Sequence, residues 1–346
     1  MDKVRVAIVG ATGYTGAEVL RLLLGHRRAE VVVCTSREPG PTLAATYRQF
    51  TGLVDLTLEA FEPDVVAARA EVAFVGLPHH AAMEAVIPLY ARGMRVIDLS
   101  ADFRFRSVDT YRAHYGEHLA PALLQEAVYG LPELFREELR KTRLVATPGC
   151  YPTSVILPLA PLLRAGLVKP RGLIADCKSG VSGAGRGLTQ DSHYTEVEGG
   201  LRAYKVGCHR HQPEMEEVLG RASGVIPELL FAPHLVPMIR GISAAIYAEL
   251  ADGVEGSAVR ECLVSAYAGE RFVKVLPPGQ HPDTKHVAGT NYVHLNVVVD
   301  EPRRRVVLLC ALDNLVKGAS GAAVQSMNVL FGLDEGEGLL ASALFP

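Results

Sequence analysis

A glycine-rich turn joins the first strand pattern of the chain to its first helix pattern. The apolar run at residues 4–9 is followed by Gly-Ala-Thr-Gly-Tyr-Thr-Gly at residues 10–16, and a helix pattern occupies residues 17–24. Glycines let a backbone approach a pyrophosphate and a helix N-terminus supplies N–H donors, so this placement predicts a dinucleotide-binding turn. The spacing GxxGxxG is less common than GxGxxG, and a turn that serves packing alone is the alternative. The residues expected to contact the dinucleotide are Gly10, Thr12, Gly13, Tyr14, Thr15 and Gly16.

The first half of the chain continues to alternate short strands with helices. Strand patterns lie at residues 31–34, 72–75 and 96–99, and a helix pattern lies at residues 81–90. Such alternation is typical of a parallel sheet with crossover helices. The more polar stretch at residues 104–143 is expected to be partly helical and to cross between two domains.

The second half has a different pattern. After residue 150 strands outnumber helices, which predicts a mixed or antiparallel sheet with a helix at residues 256–268 over one face. The strand patterns are at residues 173–177, 229–232, 243–250, 293–299 and 306–312. A last helix near residues 319–330 is rich in small residues, which permit close backbone approach. We expect this helix to pack back on the first domain near a ligand.

These patterns together predict an α/β chain of two domains. A length of 346 residues is enough for two hydrophobic cores. The first is a Rossmann-type dinucleotide-binding domain formed by residues 1–149 and 315–346. The second is an α+β domain of residues 150–314, which is expected to carry the catalytic, substrate-binding and oligomerisation surfaces.

The residues after the second strand pattern indicate which dinucleotide binds. NAD sites usually place an acidic residue here for the ribose hydroxyls, whereas an arginine accommodates the extra phosphate of NADP. Ser36 and Arg37 occupy this position and Glu38 comes one residue later, so the sequence predicts NADP. A solvated loop arginine is the alternative. Leu77 and Pro78 follow the next strand pattern and are expected to line the cofactor at the carboxyl edge of the sheet.

The overall composition excludes several classes of partner. The net charge is −3 at pH 7, without the basic surface expected of a nucleic-acid-binding protein. No apolar run reaches membrane-spanning length, and the first strand begins at Val4, which leaves no room for a signal peptide. The six cysteines are widely spaced without a CxxC pair. This pattern favours reduced thiols and a cytoplasmic location over a disulfide framework or a zinc site.

One cysteine lies where a strand pattern gives way to a helix pattern. Residues 144–147 are apolar and end in Pro-Gly, Cys150 follows, and an apolar helix pattern occupies residues 154–163. Unpaired N–H groups and the positive end of a helix dipole both favour the thiolate, which is the reactive form of cysteine. Cys150 is therefore a candidate nucleophile. The alternative is a small core residue, the usual place of a free cysteine.

A thiol nucleophile needs a group that moves protons and donors that hold an oxyanion. Histidine suits proton transfer near neutral pH, and the second half contains His209 and His211 two residues apart. If their segment is extended, at most one of them faces the thiol. The glycine-rich loop at residues 178–186 predicts an anion-binding nest, with a plain flexible loop as the alternative.

Taken together, six motifs resemble, in the same order, the N-acetyl-γ-glutamyl-phosphate reductases of arginine biosynthesis. They are the glycine turn, Leu-Ser-Ala-Asp-Phe-Arg at 99–104, Pro-Gly-Cys-Tyr-Pro-Thr at 148–153, the loop at 178–186, His-Arg-His-Gln-Pro-Glu at 209–214 and Asp-Asn-Leu-Val-Lys-Gly at 313–318. This family is similar to aspartate-semialdehyde dehydrogenase in fold and acyl-enzyme chemistry. In that second family the proton-handling histidine follows a Val-Pro segment, where this chain has Arg240 and Gly241. The resemblance therefore assigns proton transfer to His209 first and His211 second.

The resemblance implies a reaction and a set of site residues. Cys150 attacks an acyl phosphate and expels phosphate, NADPH reduces the thioester, and the thiohemiacetal collapses to an aldehyde. The residues expected to contact the substrate are Arg104, Lys178, Ser179, Arg186, His211 and Glu214. Those expected to contact NADP outside the glycine turn are Ser36, Arg37, Leu77, Pro78, Ser182, Gly183 and Asn314.

Other functions stay open at this point. The sister reductase of lysine biosynthesis acts on an aminoadipyl phosphate, one methylene longer, and a methylene is worth only about 1 to 3 kcal/mol in discrimination. Aspartate-semialdehyde dehydrogenase matches the His-Arg-His segment poorly. A non-catalytic NADP-binding sensor would keep the fold without a reactive thiol. By analogy with two-domain dehydrogenases we expect a homodimer or homotetramer, with a small-molecule acyl phosphate as substrate.

Overall fold

The computed structural model describes residues 3–344, and in it the chain divides into two compact units. Of the described residues, unit 1 contains residues 3–148 together with Ala319–Leu340. Unit 2 contains Gly149–Gly318 and residues 341–344. The chain thus leaves unit 1 directly before Gly149 and returns to it directly after Gly318.

The described part of unit 1 contains a seven-stranded sheet in the order β3-β2-β1-β4-β5-β7-β6, and its neighbouring strands run parallel. The strands are β1 Val4–Val9, β2 Ala29–Thr35, β3 Leu58–Glu59, β4 Val72–Val75, β5 Arg95–Asp98, β6 Val128–Tyr129 and β7 Leu144–Ala146. The central strands are continuous buried apolar runs, as expected when helices cover both faces of a parallel sheet. The predicted Rossmann-type α/β architecture is confirmed.

The helices of unit 1 are α1 Tyr14–Leu24, α2 Leu43–Thr46, α3 Pro63–Arg69, α4 Ala81–Ala91, α5 Val108–Tyr115, α6 Leu123–Glu126, α7 Pro132–Leu139 and, at the end of the chain, α12 Gly321–Leu330. Helix α1 begins earlier than its apolar pattern, because Gly13 ends the glycine turn as the N-cap. Helix α12 packs against α1 and α7, as its small residues predict.

The expectation for residues 104–143 is wrong in one respect. This stretch is partly helical, with α5, α6 and α7, but it does not cross between domains. It contains β6, which pairs with β7 at the edge of the unit 1 sheet. The strand Val128–Tyr129 is too short to give an alternating pattern, so the sequence did not reveal it.

The described part of unit 2 contains a second seven-stranded sheet in the order β12-β13-β14-β11-β8-β10-β9. Its strands are β8 Leu173–Ser179, β9 Arg202–Ala203, β10 Leu229–Leu235, β11 Ile242–Glu249, β12 Val273–Val275, β13 Val293–Asp300 and β14 Arg305–Leu312. The pairs β8–β10 and β12–β13 are parallel and the others are antiparallel, so the predicted mixed sheet is confirmed.

The helices of unit 2 are α8 Cys150–Arg164, α9 Tyr194–Val197, α10 His211–Ser223 and α11 Gly256–Tyr267. Helix α8 packs against β11 and β14 and is flanked by α10 and α11. Residues of β8 and β11 alternate between buried and accessible, so the helices cover one face of the sheet. We call the other side the open face. Within residues 3–344, no helix combines the length and the apolarity needed to span a bilayer.

Candidate active site

Two glycines of the turn in unit 1 are required by the fold itself. Gly10 has a φ of +86°, and a Cβ there would lie 2.7 Å from the carbonyl oxygen of Gly76. A Cβ on Gly16 would lie 2.5 Å from the carbonyl oxygen of Gly10. Gly16 therefore lets α1 approach the end of β1 closely, and Gly10 lets the turn approach the segment after β4. Close packing of this kind is one half of the predicted role of a dinucleotide-binding turn.

Gly13 differs from these two glycines because the protein leaves space beside it. A Cβ there would meet its nearest neighbour, the carbonyl oxygen of Gly10, at 3.6 Å, an ordinary contact. Gly13 is the N-cap of α1 without a capping side chain, and the first turn, which contains Tyr14 and Thr15, carries no acidic residue. The first amides of a helix have no partner within the helix. This end of α1 therefore fits a dinucleotide pyrophosphate.

Neighbouring side chains hold the turn in place through its carbonyl oxygens. The Tyr47 hydroxyl donates to the carbonyl oxygen of Thr12 at 2.9 Å, and the Ser320 hydroxyl donates to that of Thr15 at 2.9 Å. These two hydrogen bonds fix the path of the main chain through the turn.

The residues predicted to select the dinucleotide lie directly after β2. The Ser36 amide donates to the carbonyl oxygen of Glu59, and the Ser36 hydroxyl accepts a hydrogen bond from the Glu38 amide. Arg37 is exposed. Leu77 lies in the loop after β4 with its side chain near Gly10, and Pro78 follows it.

The loops after β4 and β5 are tied together by side chains. The His79 ring accepts a hydrogen bond from the Ala101 amide at 3.1 Å, and the His80 amide donates to the buried Asp102 carboxylate at 2.9 Å. The Tyr111 hydroxyl donates to the other oxygen of Asp102. These contacts give the two histidines a structural role at the carboxyl edge of the sheet.

Arg104 is buried at the carboxyl edge of the unit 1 sheet. Its Nε donates to the carbonyl oxygen of Thr147 at 2.7 Å, and its Nη2 donates to that of Leu99 at 3.3 Å. Nearby, burial and then the charge of Asp102 raise the pKa of Asp98 to about 7. Arg104 thus supports the chain just before it leaves unit 1.

In unit 2, Cys150 is the first residue of α8 and its thiol is half-buried. The predicted position at the start of a helix is confirmed. Cys34, Cys177 and Cys310 are fully buried, and burial raises the pKa of each thiol. The alternative that a free cysteine is a small core residue therefore fits those three residues. Cys150 has a different environment.

The two histidines of the His-Arg-His segment lie together. His211 begins α10 and His209 precedes it in a turn, so the premise of an extended segment is wrong. Their ring centroids are 4.7 Å apart, and they lie 6.0 and 6.1 Å from the ring of Tyr151, the residue after the thiol. The His211 amide donates to Nδ1 of His209 at 3.1 Å. This bond places the proton of a neutral His209 ring on Nε2.

His209 is held in its neutral form. Burial, and then the positive charges of Lys205 and Arg210, lower the pKa of His209 to about 4. A neutral ring with its proton on Nε2 donates a hydrogen bond from that atom. The bond that fixes the tautomer is local, because its donor lies only two residues further along the chain, whereas the burial that lowers the pKa of His209 depends on tertiary packing.

The other residues predicted to contact the substrate lie in different surroundings. Glu214 is fully buried and accepts a hydrogen bond from the Gly149 amide at 2.8 Å. Lys178 lies on the open face, opposite α8, where its Nζ is 2.5 Å from an Asp176 oxygen. Ser179 is buried and its hydroxyl donates to the carbonyl oxygen of Gly180, whereas Arg186 is exposed in the following loop.

The structure brings together three predicted cofactor residues of unit 2. The Asn314 side chain donates to the Ser182 hydroxyl at 2.9 Å and accepts a hydrogen bond from the Gly241 amide at 2.7 Å. A Cβ on Gly183 would lie 3.8 Å from the same Asn314 amide group. Residues far apart in sequence thus form one polar cluster at an end of the sheet.

Sequence reasoning assigned no role to Tyr151 and Tyr204. The Tyr204 hydroxyl donates to the Tyr151 hydroxyl at 3.3 Å, and the Tyr151 hydroxyl donates to the carbonyl oxygen of His234 at 3.0 Å. The Tyr204 ring also lies 5.6 Å from that of His209. The rings of the two tyrosines therefore pack beside the histidines. In the sequence, the only sign of this is that the tyrosines lie close to the Cys150 and His209 motifs.

Comparisons with known proteins match both units. The model described as "Semialdehyde dehydrogenase, NAD binding domain" matches residues 5–142, and "Semialdehyde dehydrogenase, dimerisation domain" matches residues 150–314. Aspartate semialdehyde dehydrogenase II from Vibrio cholerae superposes with a TM-score of 0.74 at 17% identity, covering 96% of this chain and 99% of that one. The aspartate semialdehyde dehydrogenase with NADP from Candida albicans gives a TM-score of 0.73 at 15% identity, with coverage of 95% and 99%. The fold is that of a semialdehyde dehydrogenase, with a domain for a nicotinamide cofactor.

Curated relatives narrow this class. Proteins named N-acetyl-gamma-glutamyl-phosphate reductase from Desulforapulum autotrophicum and Geotalea daltonii are 46% and 49% identical, and each alignment covers 99% of both chains. One from Desulforudis audaxviator is 49% identical over 99% of this chain and all of its own. The chain belongs to the N-acetyl-gamma-glutamyl-phosphate reductase family.

Proposed function

We propose that this protein reduces N-acetyl-L-glutamyl 5-phosphate to N-acetyl-L-glutamate 5-semialdehyde with release of phosphate, a step of arginine biosynthesis. The observation that carries the proposal is the half-buried Cys150 thiol at the start of α8, in a chain that matches reductases of this name over its full length. The NAD binding and dimerisation domains support the same activity.

In the proposed mechanism, the Cys150 thiolate attacks the acyl carbon, the carbon–oxygen bond to phosphate breaks, and a thioester forms on the sulfur. When bound, NADPH supplies the hydride that reduces the thioester carbonyl. We assign the oxygen that becomes negative to the first amides of α8, which have no partner within the helix. The Cys150–carbon bond then breaks, which releases the aldehyde and regenerates the thiolate.

We propose different tasks for the two histidines. His209, neutral with its proton on Nε2, donates a hydrogen bond to the developing oxyanion. His211 accepts the thiol proton. A glutamine amide can replace an Nε2–H donor but not a base, so His209→Gln should keep more activity than His211→Gln. The acid limb of the pH–rate profile should persist in His209→Gln and disappear in His211→Gln. If His211→Gln kept more activity than His209→Gln, His209 would be the base.

For the anionic groups of the substrate we propose Arg104 and Arg186, since arginine pairs well with carboxylate and phosphate. We assign Glu214 instead to the Gly149 amide that it contacts. Lys178 lies on the face of the sheet opposite α8, so we assign it to the open face and no longer to the substrate.

We propose NADP as the cofactor. Ser36 and Arg37 directly follow β2, at the position where an arginine accommodates the extra phosphate. Glu38 follows one residue later. Gly13, Leu77 and the amides at the start of α1 fit the remainder of the dinucleotide.

The reaction can be tested in its reverse direction. Purified protein should reduce NADP in the presence of phosphate and N-acetyl-glutamate semialdehyde, and more slowly with the aminoadipate homologue. Cys150→Ser should abolish turnover but keep NADPH binding, whereas Cys262→Ser on α11 should retain activity. Mass spectrometry of protein quenched with acyl phosphate should show an acyl adduct on the peptide with Cys150. A fully active Cys150→Ser protein would contradict the mechanism, whereas NADPH binding without any turnover by the unaltered protein would favour the sensor hypothesis.

We further propose that the protein is a homodimer that associates through the open face of unit 2. One row of residues crosses five strands of this face, in the order Leu230, Ile174, Tyr247, Val307 and Val298. Four of these apolar side chains are 40–47% exposed, which is unusual for residues aligned in one row. The match to a dimerisation domain supports a second copy of the chain as the partner.

Sedimentation of Ile174→Asp tests this assembly. The variant should run as a monomer where the unaltered protein runs as a dimer, and Val264→Asp on the exposed side of α11 serves as a control that stays dimeric. A dimer that survives Ile174→Asp would place the interface elsewhere, and a tetramer would require a second interface.

We also propose a cytoplasmic location. All six cysteines lie within residues 3–344 and are free thiols, the state expected in a reducing compartment. Immunolocalisation in fractionated cells would test it.

A further inference from the structure

The main chain of Gly318 lies directly against the candidate nucleophile. A Cβ at this position would be 2.8 Å from Cβ of Cys150 and 3.2 Å from its Cα. Gly318 does not adopt the left-handed backbone conformation, so the lack of space, and not φ, requires glycine here. The crowded atoms belong to the base of the Cys150 side chain, which cannot rotate away.

Gly318 cannot move away easily, because a buried aspartate holds its segment. The Gly318 amide donates to the carbonyl oxygen of Asp313 at 2.9 Å. One carboxylate oxygen of Asp313 accepts hydrogen bonds from the amides of Leu315 and Val316, and the other accepts one from the Gly289 amide. Asp313 is fully buried, and the segment continues as a π-helical turn, Val316–Ser320. Such turns are often found at functional sites.

Cys150 is also held from the side of its own helix. The Gly149 amide donates to Glu214, and the Thr153 amide donates to the carbonyl oxygen of Gly149. The base of the thiol side chain therefore lies between a fixed helix start and a fixed main-chain segment.

We propose that Gly318 is a positioning residue. Because it has no side chain, its main chain packs directly against Cys150 and fixes the position of the Cys150 side chain at the start of α8. The proposal rests on the proposed function in taking Cys150 as the nucleophile. An added methyl group at residue 318 would displace the thiol from the first amides of the helix. Misplacement of a reacting group by about 1 Å can cost about 100-fold in rate.

The test compares Gly318→Ala with Gly220→Ala. A Cβ on Gly220 would be 2.8 Å from a side-chain carbon of Ile226, so this variant has similar crowding away from Cys150. We expect kcat of Gly318→Ala to fall about 100-fold with little change in KM for the acyl phosphate. We also expect slower alkylation of Cys150 by iodoacetamide. Gly220→Ala should resemble the unaltered protein in both assays. Equal effects of the two substitutions, or an unchanged alkylation rate in Gly318→Ala, would overturn the proposal.

A double-mutant comparison covers the case in which Gly318→Ala folds poorly. In a Cys150→Gly background the Cβ that would be crowded is gone, so Gly318→Ala should lower Tm by less than it does beside the native cysteine. The same loss of Tm in both backgrounds would overturn the proposal. The alkylation and Tm measurements need no substrate. If the unaltered protein does not reduce the acyl phosphate while these two measurements behave as expected, the proposed function fails and the positioning role of Gly318 stands.

Discussion

The buried carboxylate of Glu214 accepts a hydrogen bond from the main-chain amide of Gly149, the residue directly before Cys150, at 2.8 Å. Glu214 belongs to the first turn of α10, and Gly149 is the N-cap of α8. A negative charge at a helix N-terminus is stabilised by the helix dipole. The helix that begins at His211 therefore also fixes the start of the helix that carries the thiol.

Glu214→Ala should lower both stability and turnover. The substitution leaves the buried Gly149 amide without its acceptor, which typically costs about 1–3 kcal/mol of the free energy of unfolding. Glu214→Gln retains a side-chain oxygen and should recover most of that stability. Urea denaturation and steady-state kinetics of the two variants check this. Equal stability of Glu214→Ala and the unaltered protein would show that the contact contributes little.

The glycines of the turn should separate into two classes. Gly16→Ala places a methyl group 2.5 Å from a main-chain oxygen, and such overpacking typically costs about 1–3 kcal/mol of stability. Gly13→Ala meets no close protein atom, so it should fold normally but lower NADPH affinity by about tenfold or more. Thermal unfolding and fluorescence titration with NADPH measure the two effects. Tight NADPH binding by Gly13→Ala would place the pyrophosphate elsewhere.

Arg37→Ser should reduce the preference for NADPH over NADH. A hydrogen bond to a charged group typically contributes about 1.5–3 kcal/mol, so kcat/KM with NADPH should fall about tenfold to 100-fold. The value with NADH should change little, because NADH lacks the phosphate. Kinetics with both cofactors give the ratio, and Arg48→Ser, in the short 3-10 helix Arg48–Phe50, serves as a control. An unchanged ratio would mean that Arg37 is solvated.

Lowering the pH should destabilise the protein through His209. Burial, then Lys205 and Arg210, lower its pKa from 6.5 to about 4. Between these values the unfolded chain binds more protons than the folded one, so the free energy of unfolding falls as the pH drops through this window. The full difference is about 3 kcal/mol.

Urea denaturation at pH 7 and pH 4.5 measures this effect. His209→Gln should lose part of the pH dependence, while the exposed His193→Gln should keep it. Burial also lowers the pKa of His118 and His294, so the difference between variant and unaltered protein is the relevant quantity. An identical pH dependence in His209→Gln would mean that the ring titrates normally.

Periodicity and turn chemistry predicted much of the fold. The runs at β1, β4 and β14 are long or apolar enough to be recognised locally, and Gly10 and Gly16 mark the turn by their type. The strand Val128–Tyr129 was missed because two residues are too few to show an alternating pattern. It exists because it pairs with β7.

The sequence predicted which residues belong to the candidate site better than it predicted what each of them contacts. Cys150 lies at a helix start, as the flanking Pro-Gly and helix pattern indicated. Glu214 and Lys178 were both expected at the substrate, but one is buried against Gly149 and the other lies on the open face. Both expectations came from the charge of the two side chains. Where the residues lie was decided by the burial of Glu214 and by the alternation of side chains along β8, which carries Lys178.

By itself, the sequence determined the class of fold and the position of Cys150 at a helix start, because strand and helix periods and helix-start residues act over a few neighbouring positions. Only the tertiary structure decided what surrounds that thiol. The Glu214 carboxylate, bonded to Gly149, and the Gly318 main chain, packed against Cys150, reach their places from segments 64 and 168 residues further along the chain than Cys150. Such contacts depend on how the elements of unit 2 pack, and no local pattern records them.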